Sequence, residues 1–312
     1  MLRHVCLICM KATQIPLLKP AEFDDYVFDT LVWKNTQRPF FNQFHVIRLE
    51  DYKKHLIIPQ APHRRSVTFF VFLTKGSITR RKALTKYEIK AGSFFFLPAF
   101  QITTLDEISD DAEGFYCHFS SDIFSISPWK SETLQTFPFL QLAGSPVVKL
   151  SQERHLAILQ IFERLLQINQ VISEEQFCLI ASYLFTLFTE VNQFVRPLEK
   201  PIGNAAVRMT ERFKAALSQH IYEKHTVSEY AELLSVSPNH LHKCVKAVTG
   251  KSAHDLLDEM RVLEAKVLLK QSNLSIADIA FKIGKLDPSD FSRFFKAETG
   301  KTPKEYRQTQ YL

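Results

Sequence analysis

The sequence predicts an α+β protein of two domains, in which a β-rich first domain and a helical hairpin precede an all-helical second domain. Aromatic residues give the first observation, since 22 of the 27 Phe in this chain of 312 residues come before residue 201. The apolar period then changes from strand-like to helix-like near residue 151. Finally, the segment 196–204 holds two prolines and a glycine, as linkers often do. We therefore predict domains over 1–150 and 205–312, joined by a hairpin over 151–195 and this linker.

Composition limits the classes of protein that the chain can form. Apolar residues make up 46% and charged residues 23% of the sequence, the balance of a folded protein. No apolar run reaches the ~18 residues of a membrane span, and the first residues lack a secretory signal pattern. We therefore expect a cytoplasmic protein without a membrane partner. The odd number of cysteines argues against a disulfide framework, and the pair Cys6 and Cys9 lacks the further ligands of a zinc site.

Residues 1–150 show the spacing of a small antiparallel barrel or sandwich. Short apolar runs recur about every ten residues and are separated by Gly76, Gly92 and Pro98. The segment Arg80-Arg81-Lys82 is interpreted as a solvated hairpin turn, and His118 as a packed core histidine. The predicted strands are 44–50, 67–74, 85–89, 93–97 and 114–120.

The hairpin consists of two amphipathic segments, 151–168 and 173–195, each with apolar residues on one helix face. A capping box, Ser173-x-x-Gln176, opens the second segment. An apolar face has to be covered, and the barrel of the same chain is one candidate to cover it.

An internal repeat in the last third of the chain is the most informative feature of the sequence. The segment 227–231 aligns with 276–280 at an offset of 49, and 238–251 aligns with 288–301 at an offset of 50. Each copy contains a short helix, a turn and a second helix. One extra residue therefore lies in the turn of the second copy.

Each copy is predicted to be a helix-turn-helix. The second helix begins with a capping side chain and a proline, Ser237-Pro238 or Asp287-Pro288, and ends at Gly250 or Gly300. Its polar and basic face suits base edges and phosphates in a DNA major groove. From residue 201 onward, 17 Lys and Arg against 13 Asp and Glu permit binding to nucleic acid. Ordinary solvated helices are the alternative, which the repetition of the same caps disfavours.

The second copy contains Leu274–Ala280, Gly284, Phe291–Lys296, Gly300 and Thr302–Arg307. Through these residues, the stretch from about residue 210 to the end resembles the DNA-binding domain of AraC/XylS-family transcription regulators. The resemblance implies two helix-turn-helix units whose recognition helices are held one DNA turn, ~34 Å, apart by a joining helix at about residues 254–271. It also implies a transcription regulator, favoured to be an activator, that is not an enzyme, uses no cofactor, and binds double-stranded DNA and RNA polymerase.

The resemblance assigns roles by position. Base-edge contacts fall on Asn239, His242 and Lys243 in the first unit and on Ser289, Asp290, Ser292 and Arg293 in the second. Phosphate contacts fall on Lys246, Lys251, Lys296 and Lys301. Lys285 and Asp290 depart from the family pattern, which usually has Gly-Phe before the turn and a His before Phe-Ser-Arg. Asp290 can accept from a cytosine amine but repels phosphates, so the sequence preference of the second unit stays open.

The first domain resembles the cupin-like sensor barrel that many members of this family carry, through its strand pattern, Gly76 and the run Ala91–Pro98. Metal-binding cupins need several His and one Glu on facing strands. Here, Phe70 and Thr103 occupy two of those positions, so the sequence offers no metal-ligand set. We expect a barrel without metal or catalysis.

A small-molecule effector is the expected ligand of this barrel, and filling of its interior by Phe is the alternative. The residues assigned to the edge of the pocket are His45, His63, Arg64 and Arg65. Family members often form homodimers through the helices after the barrel. The residues assigned to that seam are Leu159, Phe162 and Leu166.

Two other functions require features that the sequence does not clearly offer. A cupin enzyme with a DNA-binding tail requires metal ligands or an acid–base pair in the barrel. A DNA-repair methyltransferase fusion requires a four-cysteine zinc site, and Cys6, Cys9, Cys117 and Cys178 lack the spacing for it.

Overall fold

The computed structural model describes residues 15–28, 38–124, 134, 136–141, 144–195, 205–285 and 287–308. The chain divides into two compact units, one over Leu17–Pro201 and one that contains Ile202–Leu312. The predicted linker 196–204 and the pair Cys6 and Cys9 lie outside the described residues. None of the described helices has the length and apolar character needed to cross a membrane.

The first unit is rich in β-strands, as predicted. Its strands are β1 (Leu17–Leu18), β2 (Phe44–Arg48), β3 (Arg64–Arg65), β4 (Thr68–Lys75), β5 (Ser77–Lys82), β6 (Thr85–Lys90), β7 (Ser93–Leu97), β8 (Thr103–Ile108), β9 (Glu113–Phe119) and β10 (Val147–Lys149). One antiparallel sheet has the order β10-β7-β4-β9-β2, a second has the order β6-β5-β8, and β1 pairs with β3 in parallel. Its α-helices are α1 (Pro20–Val27), α2 (Leu49–Tyr52), α3 (His155–Gln170) and α4 (Phe177–Asn192).

The predicted strands are present within one or two residues of their expected bounds, whereas β1, β3, β5, β8 and β10 were not expected. The interpretation of Arg80-Arg81-Lys82 as a solvated turn is wrong, because these residues end β5 and the turn begins at Ala83. Arg80 and Lys82 are buried, while Arg81 on the other face of the strand pairs with Asp106. Side chains of a strand alternate between its faces, so every second residue of β5 is directed into the unit.

The same alternation divides the interior of the first unit into two cores. Phe70 and Phe72 of β4 belong to one core, and Phe69 and Val71 belong to the other. The first core lies between the five-stranded sheet and the pair α3 and α4, and it includes Phe94, Phe96, Phe115, Phe119, Phe162 and Phe188. The second core lies on the opposite face of this sheet, and it includes Phe23, Leu49, Tyr52, Ile78, Phe95 and Tyr116.

Phe162 is the central contact between α3 and the sheet. Its ring stacks on Phe115 with 4.3 Å between centroids and lies parallel to Phe72 at 5.9 Å. Its side chain has no exposed surface, so the assignment of Phe162 to a homodimer seam is corrected: packing on the sheet accounts for it. Leu159 and Leu166 are half-buried and pack against the same core.

We predict that Phe162→Ala lowers the free energy of unfolding by about 3–5 kcal/mol, because it leaves a cavity between α3 and the sheet. Leu156→Ala on the same helix is the matched control, since Leu156 is 67% exposed. Its effect is expected to stay within about 0.5 kcal/mol. Urea unfolding of the full chain measures both. Similar small losses for the two variants would show that Phe162 is not a core residue.

The second unit is all-helical in its described residues. Its helices are α5 (Ala205–His220), α6 (Val227–Leu233), α7 (Pro238–Thr249), α8 (Ala253–Gln271), α9 (Ile276–Lys282), α10 (Pro288–Thr299) and α11 (Pro303–Gln308). The repeat of the sequence therefore corresponds to two helix pairs, α6 with α7 and α9 with α10. Gly250 and Gly300 end α7 and α10 at φ of +73° and +76°, a conformation that other residues rarely adopt.

Candidate functional site

The exposed face of α7 carries the polar residues that the sequence assigns to the first helix-turn-helix copy. Asn239, Lys243 and Lys246 are exposed and His242 is half-buried. The opposite face holds the buried residues Leu241, Cys244 and Val245. The side-chain oxygen of Ser237 accepts from the backbone amide of His240, so the helix begins where the sequence predicts. This geometry gives α7 one packed face and one face that is open to a ligand.

The exposed face of α10 has the same arrangement with different chemistry. Ser289, Asp290, Arg293 and Lys296 are exposed, and Ser292 is half-buried and donates to the carbonyl of Pro288. Arg293 forms an ion pair with Asp290, one helical turn before it. The positions equivalent to this pair in α7 are His240 and Lys243, which hold no carboxylate. The exposed faces of α7 and α10 therefore differ in charge at these two aligned positions.

The remaining basic residues lie just beyond the two glycines. Lys251 and Lys301 are both exposed. Lys251 pairs with Glu259 of α8, while the backbone amide of Lys301 donates to the hydroxyl of Thr299. Lys285, the second departure from the family pattern, places its amine 4.5 Å from the ring centroid of Phe294. This cation–π contact attaches the turn of the second pair to its second helix.

The long helix α8 is hydrogen-bonded to neighbours along its length, which the sequence did not predict. Arg261 donates to the carbonyl of His225, just before α6, and Glu264 accepts from the hydroxyl of Tyr222 at 2.8 Å. Toward its C-terminal end, Arg307 of α11 donates to a backbone carbonyl of α8. These partners are distant in sequence, so no local pattern could indicate them.

The residues assigned to an effector pocket are all buried in the first unit. His45, His63, Arg64 and Arg65 are exposed by 4% or less. Arg65 donates to the hydroxyl of Tyr116 and, at 3.4 Å, to Nδ1 of His118. Nε2 of His118 donates to the carbonyl of Phe41 at 2.7 Å, and its side chain is 1% exposed. The interpretation of His118 as a packed core histidine is therefore confirmed.

Arg80 is the functional candidate that sequence reasoning missed in this region. Its guanidinium is 3% exposed and donates to the hydroxyl of Thr103 at 3.4 Å. The signal that could have found it was the alternation Ile78, Arg80, Lys82, which matches a strand with one buried face. The run of three basic residues hid this alternation.

Burial lowers the pKa of His45 and of His63 from 6.5 to about 3. An unfolded imidazole takes up a proton near pH 6.5, whereas these two stay neutral in the folded state down to about pH 3. The unfolded state therefore binds more protons in that range, and the free energy of unfolding falls as the pH drops from about 6.5 toward 3.

We predict that His63→Gln removes part of this pH dependence. At pH 5, a histidine of this kind costs about 2 kcal/mol of stability, so the loss between pH 7 and 5 is expected to be smaller in the variant by about that amount. Urea unfolding at the two pH values measures the difference, and the exposed His254→Gln controls for the substitution itself. An unchanged loss in His63→Gln contradicts the assignment.

Comparison with known proteins gives consistent matches. A family model described as a helix-turn-helix domain matches residues 230–309. The HTH-type transcriptional regulator YisR of Bacillus subtilis (strain 168) is 24% identical over 252 residues, which cover 78% of this chain and 86% of YisR. The HTH-type transcriptional activator RhaS of Escherichia coli O139:H28 (strain E24377A / ETEC) is 32% identical over 111 residues, 36% of this chain and 40% of RhaS. The solved C-terminal domain of AraT, a response regulator from Geobacillus stearothermophilus, is 31% identical and covers 33% of this chain and 87% of that chain, with a TM-score of 0.32.

An all-helical unit with two matched, exposed helix faces, together with these relatives, defines the chain as a DNA-binding transcription regulator. Its C-terminal helices are similar to the helix-turn-helix domain of AraC-type regulators, over the residues that the family model matches.

Proposed function

We propose that the two helix pairs are two helix-turn-helix units that read successive major grooves on one side of a DNA duplex. The observation that carries this proposal is the repetition of one design: α7 and α10 each begin with a capping side chain and a proline, end at a glycine, bury apolar residues four positions apart, and carry a basic residue at the same exposed position. The 19 residues of α8 span about 28 Å. A rigid helix of that length suits two recognition helices about one turn of DNA apart.

The exposed residues divide by chemistry into two groups. Base edges are read by Asn239, His242 and Lys243 of α7 and by Ser289, Asp290, Ser292 and Arg293 of α10. Phosphates are contacted by Lys246, Lys251, Lys296 and Lys301. Lys251 and Arg293 have to exchange an acidic partner for DNA, so these two contribute less net affinity than a free side chain.

Residues 1–150, followed by the hairpin over 151–195, are proposed to form a cupin-like sensor domain that binds a small effector. The regulator is proposed to activate transcription, since the relative RhaS is named a transcriptional activator, and to contact RNA polymerase. Homodimerisation through the hairpin is proposed with Leu159 and Leu166 at its seam, without Phe162.

Capture of genome fragments by the full-length protein at about 0.15 M salt tests the proposed function. Non-specific binding is weak under these conditions, with Kd of about 10⁻⁴–10⁻⁶ M. A few enriched loci with two half-sites one helical turn apart are expected. Uniform weak capture of all fragments, with and without added effector candidates, would rule out a sequence-specific reader.

We predict that Lys243→Ala and Arg293→Ala each weaken binding to an enriched site by about 1–3 kcal/mol, with the smaller loss for Arg293→Ala, and relax its sequence preference. Lys246→Ala is expected to weaken binding to all sequences and to reduce the salt slope by about 1. Lys54→Ala, an exposed lysine of the first unit, is the control. Fluorescence anisotropy over a salt series measures these effects. Unchanged affinity in both groove variants would show that the helix faces are assigned wrongly.

A further variant tests the role of Asp290, the acidic residue on the exposed face of α10. Asp290→Asn removes a negative charge near the phosphates and releases Arg293. We predict tighter binding to non-cognate DNA and a lower ratio of specific to non-specific affinity. His240→Asn at the equivalent position of α7 is the matched control, because it removes no carboxylate. A higher ratio of specific to non-specific affinity in Asp290→Asn would contradict this prediction, because it would show that Asp290 does not contribute to sequence preference.

A further inference from the structure

Two arginine side chains are buried in the first unit without an ion-pair partner among the described residues. Arg65 is 2% exposed and Arg80 is 3% exposed. The carboxylate nearest along β8, Asp106, pairs with Arg81 instead. Burial lowers the pKa of Arg80 to about 10, so its guanidinium still carries a positive charge at neutral pH. Burial raises the pKa of the Tyr116 hydroxyl, and the buried carboxylate of Asp24 raises it further. This single carboxylate can balance at most one of the two charges.

The two guanidinium groups share one aromatic ring. The guanidinium carbon of Arg65 lies 5.1 Å from the ring centroid of Phe69, and that of Arg80 lies 4.9 Å from it. The two carbons are therefore at most about 10 Å apart. Arg65 also lies 3.9 Å from the ring centroid of Phe23. The rings offset part of the desolvation of both cations, but a ring has no negative charge that could neutralise them.

Further buried polar atoms beside these groups have no hydrogen-bond partner in the described structure. They are both amide atoms of Gln60, Nε2 of His63 and Nε of Arg65. The backbone of Gln60 donates to Leu105, the residue that pairs with Arg80 across the sheet, and His63 bridges to Thr103. Unpaired buried polar groups are rare in folded proteins, because each loses its hydrogen bonds to water without replacement.

The segment that contains Gln60 has exposed neighbours. Ile57 and Pro59 are exposed, whereas Gln60 and His63 are buried a few residues later in the same segment. The irregular stretch 57–62 therefore passes from the surface into the interior within a few residues. Because both arginines are buried, a small molecule reaches them only after a local movement of the chain around them.

We propose that the interior of the first unit binds a small organic anion through a carboxylate or phosphate group held by Arg65 and Arg80. A guanidinium presents paired N–H donors that match two oxygens of either group. The Nε–H of Arg65 supplies a donor, Gln60 and His63 bind polar groups of the ligand, and Phe23 and Phe69 contact its apolar part. A neutral ligand such as a sugar leaves the buried charge unbalanced.

The inference rests on the proposed function only for its regulatory meaning, since it names the chemical class of the effector. Anion binding itself is measured without DNA, so its failure leaves the DNA-binding proposal untouched. Conversely, Lys243→Ala is expected to weaken specific DNA binding without changing the response to anions.

The experiment is thermal unfolding of the full chain in Tris chloride at pH 7.5. Sodium phosphate, sodium benzoate and sodium malonate are titrated separately, with glucose as the neutral probe and sodium chloride at matched ionic strength as the salt control. At least one anion is expected to raise the unfolding midpoint by about 3–6 °C for each tenfold increase above its Kd. Stabilisation by phosphate alone identifies a phosphate site, and stabilisation by benzoate or malonate identifies a carboxylate site. If no anion exceeds the sodium chloride control, the proposal is overturned.

Substitutions separate a binding role from a structural one. Arg80→Met keeps the length of the side chain and removes the charge, so it is expected to abolish the anion response while the midpoint without anion is unchanged or higher. Arg81→Met, one residue along the same strand and paired with Asp106 on the other face, is the matched control and should retain the response. Arg65→Lys keeps the charge without the planar fork and is expected to weaken anion binding at least tenfold. A response that survives in Arg80→Met, or a lower midpoint in Arg80→Met without anion, overturns the assignment.

Discussion

The first unit depends on one constraint, which is that successive side chains of a strand point to opposite faces of the sheet. In β4 this constraint directs Phe70 and Phe72 toward α3 and α4, and Phe69 toward Arg65 and Arg80. One strand thus takes part in a purely apolar core and, on its other face, in a region where rings contact cations. A shift of the register by one residue would exchange these two environments and bury charge against the helical hairpin.

The alternation also explains how much of this unit could be predicted from sequence. Strands rich in Phe, such as β4 and β7, are long enough and apolar enough to be recognised, because both of their faces are covered. Strand β5 was missed because three of its six residues are Arg or Lys, and a basic run usually lies in solvent. Burial of Arg80 depends on partners from other strands, such as Thr103, which no local pattern contains.

The second unit was easier to predict because its signals are local. A cap, a proline and a terminal glycine lie within one turn of the helix end that they define, so the bounds of α7 and α10 follow from the residues themselves. Spacing alone was less informative for the hairpin: Leu159, Phe162 and Leu166 share one stripe, yet only Phe162 is fully buried. Depth of burial depends on the sheet beneath, which periodicity does not describe. Likewise, the bond from Arg261 to the carbonyl of His225 joins residues 36 positions apart.

The unbalanced charge of the first unit also has a consequence for regulation. A buried cation without a counter-ion lowers the stability of the ligand-free state, and an anion that binds only the folded state restores it. Without ligand, the first unit is therefore less stable than it would be with an apolar core of the same size. Binding of the anion lowers the population of locally open states. If those states differ in their affinity for DNA, thermodynamic linkage requires the effect to be mutual: whatever factor the anion applies to DNA binding, cognate DNA applies to anion binding. A regulator that gains its response in this way needs no contact between the anion and the recognition helices.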